Sequence, residues 1–371
     1  MICPGCNTVV DFAALPRVGR TKNVEVRSCS CGAPLAAPIV KRPVKPAKLI
    51  TASSVKCFRF CPRKYKYAYV AGLRPRREAA ALVFGTLWHS GMEAWWQGLG
   101  WTPGPADPFD LAKAKALLAG YGARWPQDSH EVLAIERSFE APLRDSAGRP
   151  VRGWRIAGKV DGLLRQDGRV WLLEHKTTSE DITPGGDYWA RLTVDTQISL
   201  YFDGAAALGH QVDGCLYDVV KKSGLKPGVL PTLDENGEKI VLGPDGERVK
   251  TARGTWRQTA DSASGFVLQT QPETPAQYQA RVLEAIAERP NDHYARAEVV
   301  RLDGELAAAR DDLVATVRAI DWSARREFWP RNDSACFEYG RCPYWGLCAG
   351  QAVEENDYVH VENVHPELEA A

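Results

Sequence analysis

The chain has 371 residues, 44% hydrophobic and 25% charged, the balance of a globular protein with room for one large domain, or one core plus a small appendage. No apolar run approaches the roughly 20 residues needed to span a bilayer, and the opening M-I-C-P-G-C lacks a basic-then-apolar signal pattern, so an intracellular protein without a membrane partner is expected. The net charge of +1 hides an asymmetry: Lys41 to Arg77 holds twelve Lys/Arg and no Asp or Glu, while Glu354 to Glu369 holds six acidic residues and no Lys or Arg.

In such a chain ten cysteines read as metal ligands before disulfides. Residues 1–36 carry Cys3-x2-Cys6 and Cys29-x-Cys31 around short alternating segments, the pattern of a zinc-ribbon-like unit. So small a unit cannot build its own core, so a Cys₄ Zn²⁺ would supply its folding energy; the alternative is four free cysteines. Residues 37–49 form a basic Pro-rich linker. Ser53 or Ser54 is expected to cap a short helix, and Cys61-Pro62 to open a second one. Arg63, Lys64 and Lys66 on that second helix belong to the basic stretch and are candidate DNA phosphate contacts; the alternative is an ordinary solvated face.

The spacing predicts a helix over 80–97, with His89 and Glu93 sharing a face. His89 there is a satisfied core histidine or a ligand. Residues 98–130 are a Gly/Pro loop and then an Ala/Leu helix. E-R-S-F-E-A-P-L and W-R-I-A-G-K-V-D read as the first strands of a sheet. Asp167-Gly168 marks a hairpin turn, and V-W-L-L-E-H-K returns with Glu174 and Lys176 on one face and Asp161 placed to face them. Two carboxylates beside a lysine suit Mg²⁺ or Mn²⁺. A surface hairpin with alternating charges is the rival, but Val170, Leu172 and Leu173 mark a buried strand.

Gln197 and Tyr201 lie one helical turn apart on the next helix, followed by the strand C-L-Y-D-V-V. Residues 223–270 read as an insertion with turns at Asn236-Gly237 and Asp245-Gly246. Residues 274–327 read as helical. Cys336, Cys342 and Cys348 follow at C-x5-C-x5-C spacing, Cys215 stands alone as a core residue, and 351–371 reads as an acidic, disordered or solubilising tail. No phosphate-loop motif occurs, so no ATP motor is encoded.

The D-(x12)-E-x-K pattern at Asp161, Glu174 and Lys176 resembles the core of the PD-(D/E)XK nuclease superfamily. G-T-L-W-H ending at His89, the Q-x-x-x-Y at Gln197 and Tyr201, and one early plus three late cysteines resemble its RecB-like iron–sulfur branch, with CRISPR-associated, AddB-like and phage-type members. The resemblance spans residues 50–350. It implies an α/β fold: a restriction-endonuclease-like core with a mixed central sheet flanked by helices, and a helical region tied by the cluster. It implies a metal-dependent DNA nuclease, an exonuclease acting on ends or single strands in recombination, repair or phage DNA metabolism, in the cytoplasm of a bacterial or phage-infected host cell. His89, Asp161, Glu174 and the His175 carbonyl would hold the metal. Lys176 would orient or help deprotonate the attacking water, and Gln197 and Tyr201 would position DNA or water. Cys61, with Cys57 as its alternative, joins Cys336, Cys342 and Cys348 around a [4Fe–4S] cluster, with zinc as the rival metal. The x5 spacing between the second and third ligands departs from the x2 usual in the branch. A helicase or recombination protein in trans is a candidate partner. The competing readings are a non-catalytic iron–sulfur DNA-binding scaffold and a CRISPR-adaptation nuclease.

Overall fold

The computed structural model describes residues 1–20, 24–38, 47–76, 80–126, 130–351 and 357–368, in two units, Met1–Ala47 and Lys48–Ala371. Most of the basic linker, with Lys41, Arg42 and Lys45, lies outside the described residues, as do Arg77, Glu354, Glu355 and Glu369. Among the described residues no helix is long and apolar enough to cross a membrane.

The first unit is an antiparallel sheet of β1 (Arg17–Arg20), β2 (Val24–Ser28) and β3 (Pro34–Pro38). Among the described residues its buried apolar side chains are Cys3, Cys29 and Leu35, too few to hold a fold without help.

The second unit opens with β4 (Lys48–Ile50), α1 (Ala52–Phe60), α2 (Pro62–Tyr65), a π-helical turn (Lys66–Val70) and β5 (Leu73–Pro75). Thr51, not Ser53 or Ser54, caps α1: its hydroxyl accepts from the Ser54 N–H, while Ser54 closes the reciprocal half of the capping box. Then come α3 (Ala80–Trp96), α4 (Pro108–Arg124), β6 (Glu131–Arg144), β7 (Pro150–Gln166), β8 (Arg169–Thr178), α5 (Asp187–Ala190), α6 (Thr196–Ala207) and β9 (Gly214–Lys221). The inserted segment is a set of short ribbons, β10 (Val229–Pro231) with β13 (Thr270–Pro272) and β11 (Val241–Leu242) with β12 (Val267–Leu268). The chain closes with α7 (Pro275–Glu288), β14 (Tyr294–Val299), α8 (Asp303–Arg326), α9 (Trp345–Ala349) and β15 (Tyr358–His360).

The central sheet runs β14-β9-β8-β7-β4, with β6 also on β7. It is mixed: β8 and β9 are parallel, as are β4 and β7, and the other pairs are antiparallel. Period-two alternation sends Leu163 and Leu172 into the core beneath α1, α6 and α8, and Leu164 and Leu173 into the core beneath α3, α4 and α7. Asp167 and Gly168 both have positive φ, 51° and 77°, as a type I′ hairpin turn requires.

Two stretches differ from the sequence reading. Residues 274–327 are not continuously helical, because Y-A-R-A-E-V forms β14, an edge strand on β9; its alternation is too short to stand out between two Ala-rich helices. The acidic tail is tied down in part, since β15 pairs with β5.

Gly158 on β7 sits where an added Cβ would lie 2.7 Å from the Phe139 ring and 2.9 Å from the Tyr201 ring. Only glycine lets α6 approach β7 that closely. Gly158→Ala should therefore cost about 1–3 kcal/mol by overpacking, read as a lower urea midpoint; an unchanged midpoint would show that the rings move aside freely.

Candidate active site

β7 and β8 pair only as far as Gly162 opposite Leu173, and beyond that point they part. The next backbone donor on β8, the His175 N–H, is taken by the Asp161 carboxylate at 2.7 Å. Asp161 therefore sits in the mouth of a fork, with Glu174 and Lys176 on the facing strand, which stays paired to β9.

Glu174 is 2% exposed. Its Oε1 accepts from the Gln197 amide at 2.8 Å and is also paired with the Lys176 ammonium, while Oε2 is buried with no hydrogen-bond partner. Tyr201 accepts from the same Gln197 amide at 3.1 Å. The Q-x-x-x-Y pair thus holds the carboxylate in place. His89 reaches in from α3, with Nδ1 3.6 Å from Asp161 Oδ1. The His175 imidazole points to the opposite face, accepting from Trp96 Nε1 at 2.8 Å and standing 3.5 Å from Asp218, so only the backbone of His175 faces the fork.

The sequence reading missed Glu136. This β6 residue offers a carboxylate oxygen within 4.8 Å of ligand atoms of both His89 and Asp161. It has φ of 49°, in the left-handed region that non-glycine residues rarely adopt, and pairs with Lys159 at 2.5 Å. No sequence signal marks it, because its role depends on the pairing of β6 with β7. These groups line a cleft of about 710 Å³, within the range of ligand-binding sites.

Burial pushes the carboxyls of Asp161 and Glu174 up to about 7, against the pull of Lys176. Burial, with Lys176 adding to it, lowers His89 to about 4, so its imidazole is neutral and able to ligate. The Lys176 ammonium is held charged by Glu174 and Asp161. A buried orphan oxygen, two carboxyls that resist ionisation and a neutral histidine fit a hard divalent cation.

The cysteines fall into two different arrangements. In the first unit Cys3 and Cys31 Sγ are 3.6 Å apart and Cys6 and Cys29 Sγ 3.8 Å, with all four thiols within 4.8 Å. A tetrahedral zinc with Zn–S of about 2.3 Å requires edges of about 3.8 Å. Cys61, Cys336, Cys342 and Cys348 instead line a common cavity with Arg63 and Lys64. Among the described residues no three of these thiols come within that single-ion spacing. Cys57 lies nearby but does not line the cavity, and burial raises its thiol to about 12. Arg63 donates to the Trp329 carbonyl at 2.8 Å, and Lys64 lies over the Phe60 ring at 5.3 Å. These two basic residues therefore line the cysteine cavity and do not line the acidic cleft.

Fold and site together define a class: an α/β core whose central strands carry an acidic pair and a lysine beside a cleft that fits a divalent cation. Residues 49–349 match the family model of the PD-(D/E)XK nuclease superfamily, and the chain belongs to that superfamily. Its members are nucleases that use divalent metals and act on DNA. No curated protein matches the chain. Among solved structures, the crystal structure of SSO0001 is similar at 13% identity over 67% of this chain and 76% of that one, with a TM-score of 0.26.

Ordinary carboxyls ionise near pH 4, so the unfolded chain loses these protons first. In the metal-free protein the raised values of Asp161 and Glu174 favour folding at low pH, and that contribution is lost as pH rises towards 7. A bound cation must displace the same protons. Mn²⁺ affinity should therefore climb from about pH 5.5 to about pH 7.5 and then level off. Calorimetry in buffers of different ionisation enthalpy should show proton release at the acid end, and a flat profile would refute this account.

Proposed function

We propose that the protein is a metal-dependent deoxyribonuclease, an exonuclease hydrolysing phosphodiester bonds at DNA ends or in single strands during recombination, repair or phage DNA metabolism. The observation that carries the nuclease reading is the fork itself, with Asp161, Glu174 and Lys176 converging beside a carboxylate oxygen that lacks a partner. The exonuclease assignment rests on the resemblance to the RecB-like branch.

Asp161, Glu174, His89 and the His175 carbonyl would hold the Mg²⁺ or Mn²⁺. When bound, that ion lowers the pKa of water and neutralises charge on the phosphate oxygens. Lys176 is charged, so it orients water and offsets phosphate charge; this supports orientation over deprotonation. Gln197 and Tyr201 act as positioning residues through Glu174. Lys176→Ala and Glu174→Ala should each lower the cleavage rate at least about 10²-fold, with DNA binding largely retained. Wild-type cleavage of end-labelled linear DNA by both variants would refute the assignment, and equal rates on linear and circular DNA would refute the exonuclease reading.

We assign Cys61, Cys336, Cys342 and Cys348 to a [4Fe–4S] cluster and Cys3, Cys6, Cys29 and Cys31 to a Zn²⁺, on the spacing contrast between the two sets. Protein purified without oxygen should be brown, with about four irons per chain. Cys61→Ser should bleach it and lower the melting temperature, whereas Cys57→Ser should not; zinc alone in both sites would overturn the cluster.

A further inference from the structure

The acidic tail that the sequence sets apart enters the catalytic cleft. Its described residues from Asp357 onward are anchored before they arrive. The Arg76 N–H donates to the Asp357 carbonyl at 3.0 Å, and β15 pairs with β5. Tyr358 donates to the Pro343 carbonyl at 2.6 Å and stacks on Tyr344 at 5.7 Å between centroids. The Val361 N–H donates to the Gly72 carbonyl at 2.8 Å, and the Arg74 guanidinium donates to the Val364 carbonyl at 2.7 Å. His365 is buried against Tyr69.

The chain then turns at Pro366–Leu368, and both Pro366 and Glu367 form part of the cleft wall shared with Asp161 and Lys176. The Glu367 carboxylate accepts from the Thr51 hydroxyl at 2.5 Å and stands 3.4 Å from His365 Nδ1. Thr51 is the N-cap of the nine-residue α1, and Thr51, Ala52 and Ser53 line the same cleft. An anion of the protein's own thus rests at the electropositive end of a helix, inside the cleft that contains Lys159, Lys176 and the proposed ligands His89 and Asp161. A phosphate group has the same charge sign and the same acceptor chemistry as that carboxylate. The strap's contacts bring residue 367 to this position, where Thr51 and His365 hold its carboxylate. A carboxylate on the cleft wall repels a backbone phosphate that enters beside it.

We propose that residues 357–368 form a strap whose Glu367 competes with a DNA backbone phosphate for the α1 end of the cleft, so that this carboxylate sets how readily single-stranded DNA is admitted. The inference rests on the nuclease reading above. Its test separates charge from shape. Glu367→Gln keeps the volume and hydrogen-bonding reach of the side chain, and Glu367→Met removes charge and polarity together. Each is compared with the wild-type full chain by fluorescence anisotropy, using an end-labelled single-stranded oligonucleotide with Ca²⁺ in place of Mg²⁺.

Glu367→Gln should bind about two- to fivefold more tightly at low salt, the worth of one partly screened charge. Its salt dependence should steepen by up to about 0.7 in log–log slope, as one more phosphate contact forms. Its melting temperature should stay at the wild-type value. Equal or weaker binding by Glu367→Gln at every salt concentration overturns the proposal. If Glu367→Gln melts early, Glu367→Met decides: tighter binding supports competition by charge, and weaker binding shows a structural brace. If the wild type cleaves DNA and neither variant binds more tightly, this inference alone fails. If the wild type neither binds nor cleaves DNA, the nuclease reading fails and takes the strap proposal with it.

Discussion

The structure depends on the parting of β7 and β8 after the Gly162–Leu173 pair. A sheet that kept its ladder would bond the His175 N–H to a backbone carbonyl and close the space where the acidic groups meet. Here the Asp161 side chain satisfies that N–H instead, so an obligatory backbone donor fixes the orientation of a carboxylate. β8 does not lose support by leaving β7, because its other edge stays in register with β9 through Lys176 and beyond. The fork is thus rigid on one side and open on the other, and it presents charge without leaving the strand unpaired.

Burying Glu174 and Asp161 is costly, and the surroundings limit that cost in a directed way. Gln197 and Lys176 satisfy one oxygen of Glu174 and leave the second bare. On the reverse face of β8, Trp96 donates to His175, which stands beside Asp218; Asp218 in turn accepts from the Tyr121 hydroxyl and from Arg296 Nε at 3.1 Å. Burial and nearby cations keep His175 neutral. A hydrogen-bonded polar network behind the strand orients it from the side opposite the acidic groups.

The two cysteine sets show how tertiary setting separates similar chemistry. The first set lies on a small three-stranded unit with almost no apolar core, and its thiols close to the spacing of one tetrahedral ion. The second joins Cys61, at the junction of α1 and α2, to a loop some 270 residues later. That closure is held by Arg63 on the Trp329 carbonyl and by the Asn332 amide on the Phe60 carbonyl at 2.8 Å. The strap from Asp357 to Glu367 touches the peptide between Cys342 and Tyr344 and ends in the cleft, so one segment runs between the two sites.

Much of the core was legible in the residues. The Asp167-Gly168 turn, the apolar alternation of β8 and the E-x-K spacing follow from local rules: a hairpin turn needs two positive φ angles, and a strand repeats every two residues. The α3 and α6 helices were equally local, and so was the facing of Gln197 and Tyr201. What the sequence by itself could not determine depends on neighbours distant in the chain. Glu136 joins the site only because β6 pairs with β7 on either side of it, at Ile135–Gly162 and Arg137–Val160, which sets it against Asp161. The His175 side chain leaves the site because Trp96 and Asp218 wait on the other face. β14 exists as a strand because β9 offers it an edge, and the acidic tail is ordered in part because β5, Gly72, Arg74 and Thr51 give it partners. Periodicity is a property of adjacent residues and can be read along the chain, whereas the choice of partner is a property of the packed whole and was decided only by the tertiary structure.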